Sequence, residues 1–230
     1  MRKLFLLLML TGLMKYGKAQ QNPAIVWGTL QLPLHLSPKW QLPVDFSYRT
    51  IGISASALQY TFRTGARRII NDKWNVASGI AFFFTRTSFK KENHEFGREF
   101  RLWQEAVLDN RITNNLVLQN RFRTEERFFS ATTIRPAFTA LRLRYRLAAI
   151  QTINEKWAVQ LADEYMHQLA EERFSFQQNR VNVSFAYLFS SLSRIQAGYI
   201  WSKLPASSQH FITLTYQKII RLYGNSGNTK

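Results

Sequence analysis

Arginine and glutamate recur at every second residue through the middle of this 230-residue chain. Glu99, Arg101 and Glu105 share one parity, as do Arg121, Arg123, Glu125 and Arg127, and then Arg142, Arg144 and Arg146. Glu164, Arg180 and Arg194 follow further on. A period of two puts such residues on one face of a β-strand. With Arg49, Arg63 and Arg67, that face carries twelve arginines against five acids, the fifth being Asp45. Arginine is the cation suited to close, bidentate pairing with carboxylates. The pairs can therefore form the polar core of a closed barrel, its surplus cations met by water, solvent anions or a ligand, because an unpaired buried charge is costly. Alternatively, the seven unmatched arginines attract an anionic ligand or permeant.

Hydrolytic chemistry has thinner support. It needs a serine or water activated by histidine, with a third group orienting the imidazole. His94, His167 and His210 fall in or beside the longer predicted loops, near Ser88, Ser175, Ser207 and Ser208, while His35 lies at the opposite end. No Gly-x-Ser-x-Gly element accompanies them. We therefore expect no enzyme and no catalytic residue. Without cysteine or a closely spaced histidine pair no metal site is expected. The glycines form no phosphate-cradling loop, so no cofactor is expected either.

These residues must be held by alternating strands. Three short polar turns are each followed by Lys-Trp and such a strand: Ser37-Pro38-Lys39-Trp40, Asn71-Asp72-Lys73-Trp74 and Asn154-Glu155-Lys156-Trp157. The parity opposite the arginines is apolar, as in Leu58, Tyr60 and Phe62, in Ile80, Phe82 and Phe84, and in Leu141, Leu143, Tyr145 and Leu147. Strands are read over 24–36, 40–49, 58–70, 74–87, 95–108, 115–128, 135–149, 157–166, 175–189, 194–201 and 209–219. Bacterial single-chain barrels carry even strand numbers. The expectation is thus a closed antiparallel up-and-down barrel of 10–12 strands, with the Pro33-containing segment the weakest. Short turns near 37–39, 71–73, 109–114, 151–156 and 190–193 alternate with longer polar loops near 50–57, 88–94, 129–134, 167–173 and 202–208. That asymmetry belongs to a transmembrane barrel.

A soluble barrel, apolar inside and arginine-clad outside, alternates in the same way. Two features favour the membrane. The polar face is arginine interleaved with glutamate rather than the lysine–glutamate mixture of soluble surfaces. Trp40, Trp74 and Trp157 also gather beside turns, as in the aromatic girdle of a membrane interface. Arg98, Asn120 and Asp163 fall on the apolar face, and are expected near strand ends or at a register shift.

The first nineteen residues read as a secretory signal. Met1-Arg2-Lys3 is positive, Leu4 to Met14 is apolar, and Gly17-Lys18-Ala19 supplies small residues before a cleavage site. The apolar run is too short for a spanning helix. Its removal leaves one domain, 20–230, and lowers the formal charge from +17 to +13 by taking away Arg2, Lys3, Lys15 and Lys18. Export argues against nucleic acid and for acidic lipid headgroups or luminal anions as partners.

The run Phe100-Arg101-Leu102-Trp103-Gln104-Glu105 resembles a signature of an uncharacterised outer-membrane β-barrel family, the domain of unknown function twenty-four-ninety. Arg121-Phe122-Arg123-Thr124-Glu125-Glu126-Arg127, Arg142-Leu143-Arg144-Tyr145-Arg146, Asp163-Glu164-Tyr165 and Asn179-Arg180 are similar in matching order. The resemblance implies the outer membrane of a Gram-negative bacterium, with lipopolysaccharide and phospholipid as neighbours, and no reaction. Such barrels often end on an aromatic residue read by the insertion machinery; here Tyr216 and Tyr223 are candidates, followed by a polar tail from Gly224.

Overall fold

The computed structural model describes residues 24–53, 56–88 and 95–223. The predicted leader, the Lys90-Lys91-Glu92 cluster, His94 and the tail from Gly224 lie outside the described residues. Fourteen strand segments join into eleven long strands: β1 (Ile25–Gln31 and Leu34–His35), β2 (Trp40–Leu42 and Val44–Ile51), β3 (Ala57–Ile69), β4 (Trp74–Arg86), β5 (Phe96–Arg111) and β6 (Leu116–Phe129). They continue as β7 (Phe138–Thr152), β8 (Trp157–Ala170), β9 (Arg173–Ser190), β10 (Ser193–Lys203) and β11 (Ser208–Lys218 and Ile220–Arg221). Each pairs antiparallel with the next in chain order. The sheet closes on itself as an all-β barrel.

Eleven is odd, so first and last strands must run the same way. They do: the Ile220–Arg221 segment of β11 pairs parallel with Leu34–His35 of β1. Ile220 N–H donates to the Pro33 carbonyl at 3.0 Å and Leu222 N–H to that of His35 at 2.9 Å. Further up this seam the two strands meet through the Trp27 and Phe211 rings, 6.2 Å apart edge to face. An even count is thus unnecessary, because one parallel seam absorbs the extra strand.

Pro33 does not end β1, for a geometric reason. The register from Gln31↔Asp45 to Leu34↔Leu42 sets Pro33 directly opposite Pro43. Leu32 N–H donates to Val44 O at 2.8 Å, so the next pair along points its nitrogens away from each other. The two missing donors therefore cost bonds to the outer neighbours and leave the β1–β2 ladder whole.

One end of the barrel, the turn rim, is built from a repeated device. Asn71 Oδ1 accepts from the Lys73 and Trp74 amides at 2.9 and 2.8 Å, and Asn154 Oδ1 from Lys156 and Trp157 at 2.9 and 3.0 Å. Ser37 Oγ does the same for Lys39 and Trp40. A fourth copy has Thr113 capping Asn115 and Leu116. Side-chain oxygens of this reach mimic a backbone turn. The three tryptophans point outward, 45, 41 and 46 % exposed at Trp40, Trp74 and Trp157.

The loop rim is less uniform than the sequence suggests. Instead of a long loop, β8 and β9 join through Glu171 and Glu172 alone, both at positive φ (49° and 62°), which is the backbone of a tight two-residue hairpin. The longer connections are 87–95 and 130–137. Chain entry and exit lie at opposite rims: Ala24 O accepts from Gly52 N–H at the loop rim, and Leu222 lies beside His35 near the turn rim.

Two creases on the inner wall leave no room for a side chain. Gly65 of β3 and Gly79 of β4 face each other on the inner side. A Cβ on Gly79 would stand 2.1 Å from Thr64 O and 2.7 Å from the Trp103 ring. At Gly198 of β10, opposite Ser184 of β9, an added Cβ would lie 2.7 Å from the serine Cβ. Neighbouring backbone and side chains approach these glycines too closely for a Cβ. The creases divide the barrel into one wall of β4–β9 and another of β10, β11, β1, β2 and β3.

Register is reinforced by aromatic pairs on the outer face. Phe46–Phe62, Tyr48–Tyr60, Phe82–Phe100 and Phe122–Tyr145 are directly paired, with ring centroids 4.8–5.3 Å apart. Arg98 does sit near a strand end, at the loop rim. Asn120 and Asp163 do not, and the ladder runs through both without a shift. Each finds a polar partner on the outer face: Tyr145 Oη donates to Asn120 at 2.8 Å, and Asn179 Nδ2 to Asp163 at 2.6 Å.

Candidate functional site

Inside the barrel the predicted charged parity forms one connected network. Arg101 donates to Glu99 through Nε and Nη2 at 2.6 and 3.0 Å, and reaches Glu125 through Nη1 at 3.1 Å. Arg127 Nε donates to Glu99 at 2.5 Å. Glu125 is the hub: Arg101, Arg123, Arg142 and Arg144 all lie within 3.1, 3.7, 3.4 and 2.6 Å of it. Glu105 takes Arg123, Arg121 and Arg67, the last at 3.1 Å from across the first crease. Glu164 accepts from Arg121 at 2.5 Å and from Arg144 at 2.7 Å. Asp45 and Arg63 form a separate pair.

The five acids thus engage eight arginines by sharing. Four of the twelve stand without a carboxylate at ion-pair distance among the described residues: Arg49, Arg146, Arg180 and Arg194. Arg146 donates to Gln119 Oε1 at 3.1 Å. Arg180 faces Gln178, whose amide oxygen, turned toward it, accepts from Nε at 3.2 Å and Nη2 at 3.0 Å. The structure brings Glu99, Arg101, Glu105, Arg121, Arg123, Glu125, Arg127, Arg142, Arg144, Arg146, Glu164 and Arg180 together in the barrel interior.

Two tryptophans that alternation could have placed share this interior. Trp103, one of the largest fully buried side chains, fits its ring against the Gly65–Gly79 crease and donates Nε1–H to Ile80 O at 3.2 Å. Arg63 and Arg123 lie over it at 5.5 and 5.2 Å. Trp27 carries Arg49 over its ring at 3.8 Å. Their parity, matching Arg101 and Arg49, was the available signal.

Between the walls lies a cavity of about 720 Å³. Short polar side chains of one wall, Thr29, Ser47, Thr61, Thr213 and Thr215, face the arginines of the other. Toward the loop rim it is lined by Arg127, Phe129 and Arg135. Toward the turn rim the interior is filled by buried Ala77, Val107, Ala148 and Ala186. Beside the loop-rim end, Glu95 ties two connections together: it accepts from the Thr133 hydroxyl at 2.6 Å and from its amide at 3.1 and 3.2 Å. The Thr133 hydroxyl, foremost, holds the Glu95 carboxyl below its usual range.

His167 and His210, expected in or beside loops, lie within strands β8 and β11 and apart from this cavity. His167 stacks on Phe174 on the outer face, ring centroids 4.7 Å apart. His210 Nδ1 shares a hydrogen bond with Tyr199 Oη at 2.5 Å.

A family model described as protein of unknown function (DUF2490) matches residues 24–211. The match spans most of the chain, and the chain belongs to that family. No curated protein matches it.

Proposed function

We propose that this DUF2490 chain is an integral outer-membrane barrel of a Gram-negative cell, exported through a cleaved signal peptide, with a structural or interaction role. One observation carries the reading: the molecule is inside-out relative to a soluble protein. Glu125 is 2 % exposed and Arg123 6 %, whereas Phe122 is 57 % and Phe185 55 %. A bilayer makes that arrangement favourable, since it takes apolar side chains at no cost and demands that every backbone group be paired within the barrel. The Trp40, Trp74 and Trp157 girdle then marks the periplasmic interface, with the loop rim outside. Lipopolysaccharide and phospholipid are its neighbours, and the insertion machinery reads the aromatic end of β11. The ion-pair network occludes the lumen, so no reaction and no conduction are assigned.

Membrane fractionation, with boiled and unboiled protein compared on a detergent gel, tests the premise. An integral barrel stays with the membrane and changes mobility on boiling. Recovery as a detergent-independent monomer overturns the reading. A second reading, a small anion-selective pore, is favoured by the four arginines without a carboxylate. Planar-bilayer recording separates the two: channel events from pure protein, anion-selective under a salt gradient, would replace the occluded barrel with the pore.

A further inference from the structure

Arg49 is one of the four luminal arginines that the ion-pair network leaves without a carboxylate. β2 sets it opposite Trp27 in the register, and its guanidinium lies 3.8 Å from that ring. Its Nε is shielded from solvent and has no hydrogen-bond partner. Arg180, Arg101 and Arg144, near enough to act on it, carry its own sign. Arg180, which has no carboxylate at ion-pair distance and only the Gln178 amide oxygen on its Nε and Nη2, lies 5.9 Å from the same Trp27 ring. Arg101 and Arg144 are already engaged by Glu99, Glu125 and Glu164. Unmatched positive charge therefore concentrates between Arg49 and Arg180, inside the cavity that both line.

An indole face offsets only part of the cost of burying a cation, and like charges raise that cost. A ligand with several negative oxygens accepts from both guanidinium groups at once, displacing the neutral Gln178 amide from Arg180, because each guanidinium donates parallel N–H bonds in its plane. Chloride offers a single point charge and cannot do this. We propose that the luminal cavity is a binding site for a small, multiply charged oxyanion of the phosphate or polycarboxylate class, held between Arg49 and Arg180 against Trp27. The phosphate can be free or carried on a lipid headgroup that reaches in from the loop rim. The site is defined by the lumen and holds whichever compartment the barrel occupies.

Titration calorimetry and thermal unfolding of the detergent-purified full chain test this with three probes: inorganic pyrophosphate, citrate and lipid A in mixed micelles. Sodium chloride at matched ionic strength is the reference. Saturable binding with a raised unfolding midpoint is expected for pyrophosphate or citrate if the source is free, and for lipid A alone if it is lipid-borne. No response beyond sodium chloride from any probe overturns the site. Arg49→Met and Arg180→Met should each weaken binding by about tenfold or more, the loss of one charged hydrogen-bond set. Without anion, Arg49→Met should melt no lower than the parent, since it removes a like-charge contact. Arg49→Lys keeps the charge and loses the fork, and serves if the methionine variant does not fold. Arg194→Met, away from the cavity, should bind as the parent does. Full affinity in both Arg49 and Arg180 variants would place the anion elsewhere and sink the proposal.

Discussion

The two walls of the barrel solve opposite problems with the same alternation. Strands β4–β9 carry four acids and eight arginines inward and give six of those arginines a carboxylate among close neighbours, Glu125 alone meeting four guanidinium groups. The other wall carries Asp45 with Arg49, Arg63, Arg67 and Arg194, separated by serine, threonine and glutamine. The outer faces differ too. Asn120, Asp163 and Asn179 interrupt the apolar surface of the first wall, while β11, β1 and β2 present Ile212, Leu214, Leu30, Phe46 and Tyr48. One wall holds its own charges and the other makes room. The cavity exists because the second wall is built from short side chains.

That contrast is breakable. Glu125→Ala takes a carboxylate from four buried guanidinium groups, leaves Arg142 with none, and should cost about 3–5 kcal/mol, the cost of removing one partner from a buried pair. Asp45→Ala frees only Arg63 and should cost distinctly less. Denaturant midpoints of refolded barrel measure both, and equal losses would mean that the walls are not energetically different. Gly79→Val tests the crease: its side chain must displace Thr64 backbone and Trp103, and overpacking of this kind costs about 1–3 kcal/mol. A barrel that accepts it unchanged is not folded along that line. Asn71→Ala removes one turn cap and should cost about 0.5–1.5 kcal/mol. Finally, the lowered Glu95 carboxyl implies a clasp that is complete above the ordinary carboxylate range and released as pH falls through its folded value. The Thr133 amide, corrected for intrinsic exchange, should then lose protection on acidification, and an unchanged protection factor would detach the clasp from Glu95.

Much of this was legible in the chain. Alternation alone separates Arg121, Arg123, Glu125 and Arg127 from Phe122, Thr124, Glu126 and Phe128, and the Lys-Trp turns mark where strands begin. Strand pairing was not legible, because it depends on which residue stands across the ladder. Counting acids against arginines leaves seven cations over, yet sharing across the ladders leaves only four without a carboxylate. Gly65 and Gly79 look unrelated until register sets them face to face. Pro33 looks like a strand breaker until it is seen opposite Pro43. Glu171-Glu172 looked like a charged loop because nothing in two glutamates announces positive φ.

The odd strand count has a consequence for what each side of a bilayer would see. In a barrel with an even count both chain ends emerge on the same side. Here Ala24 enters beside Gly52 and Leu222 leaves beside His35, at opposite rims. In the proposed bilayer setting, a tag before β1 and a tag after β11 are expected on different sides of the membrane. A tag before Ala24 should be reached on intact cells when one after Leu222 is reached only once the envelope is opened. The parallel seam thus puts Ala24 and Leu222 at opposite rims of the barrel, which an even strand count would not do.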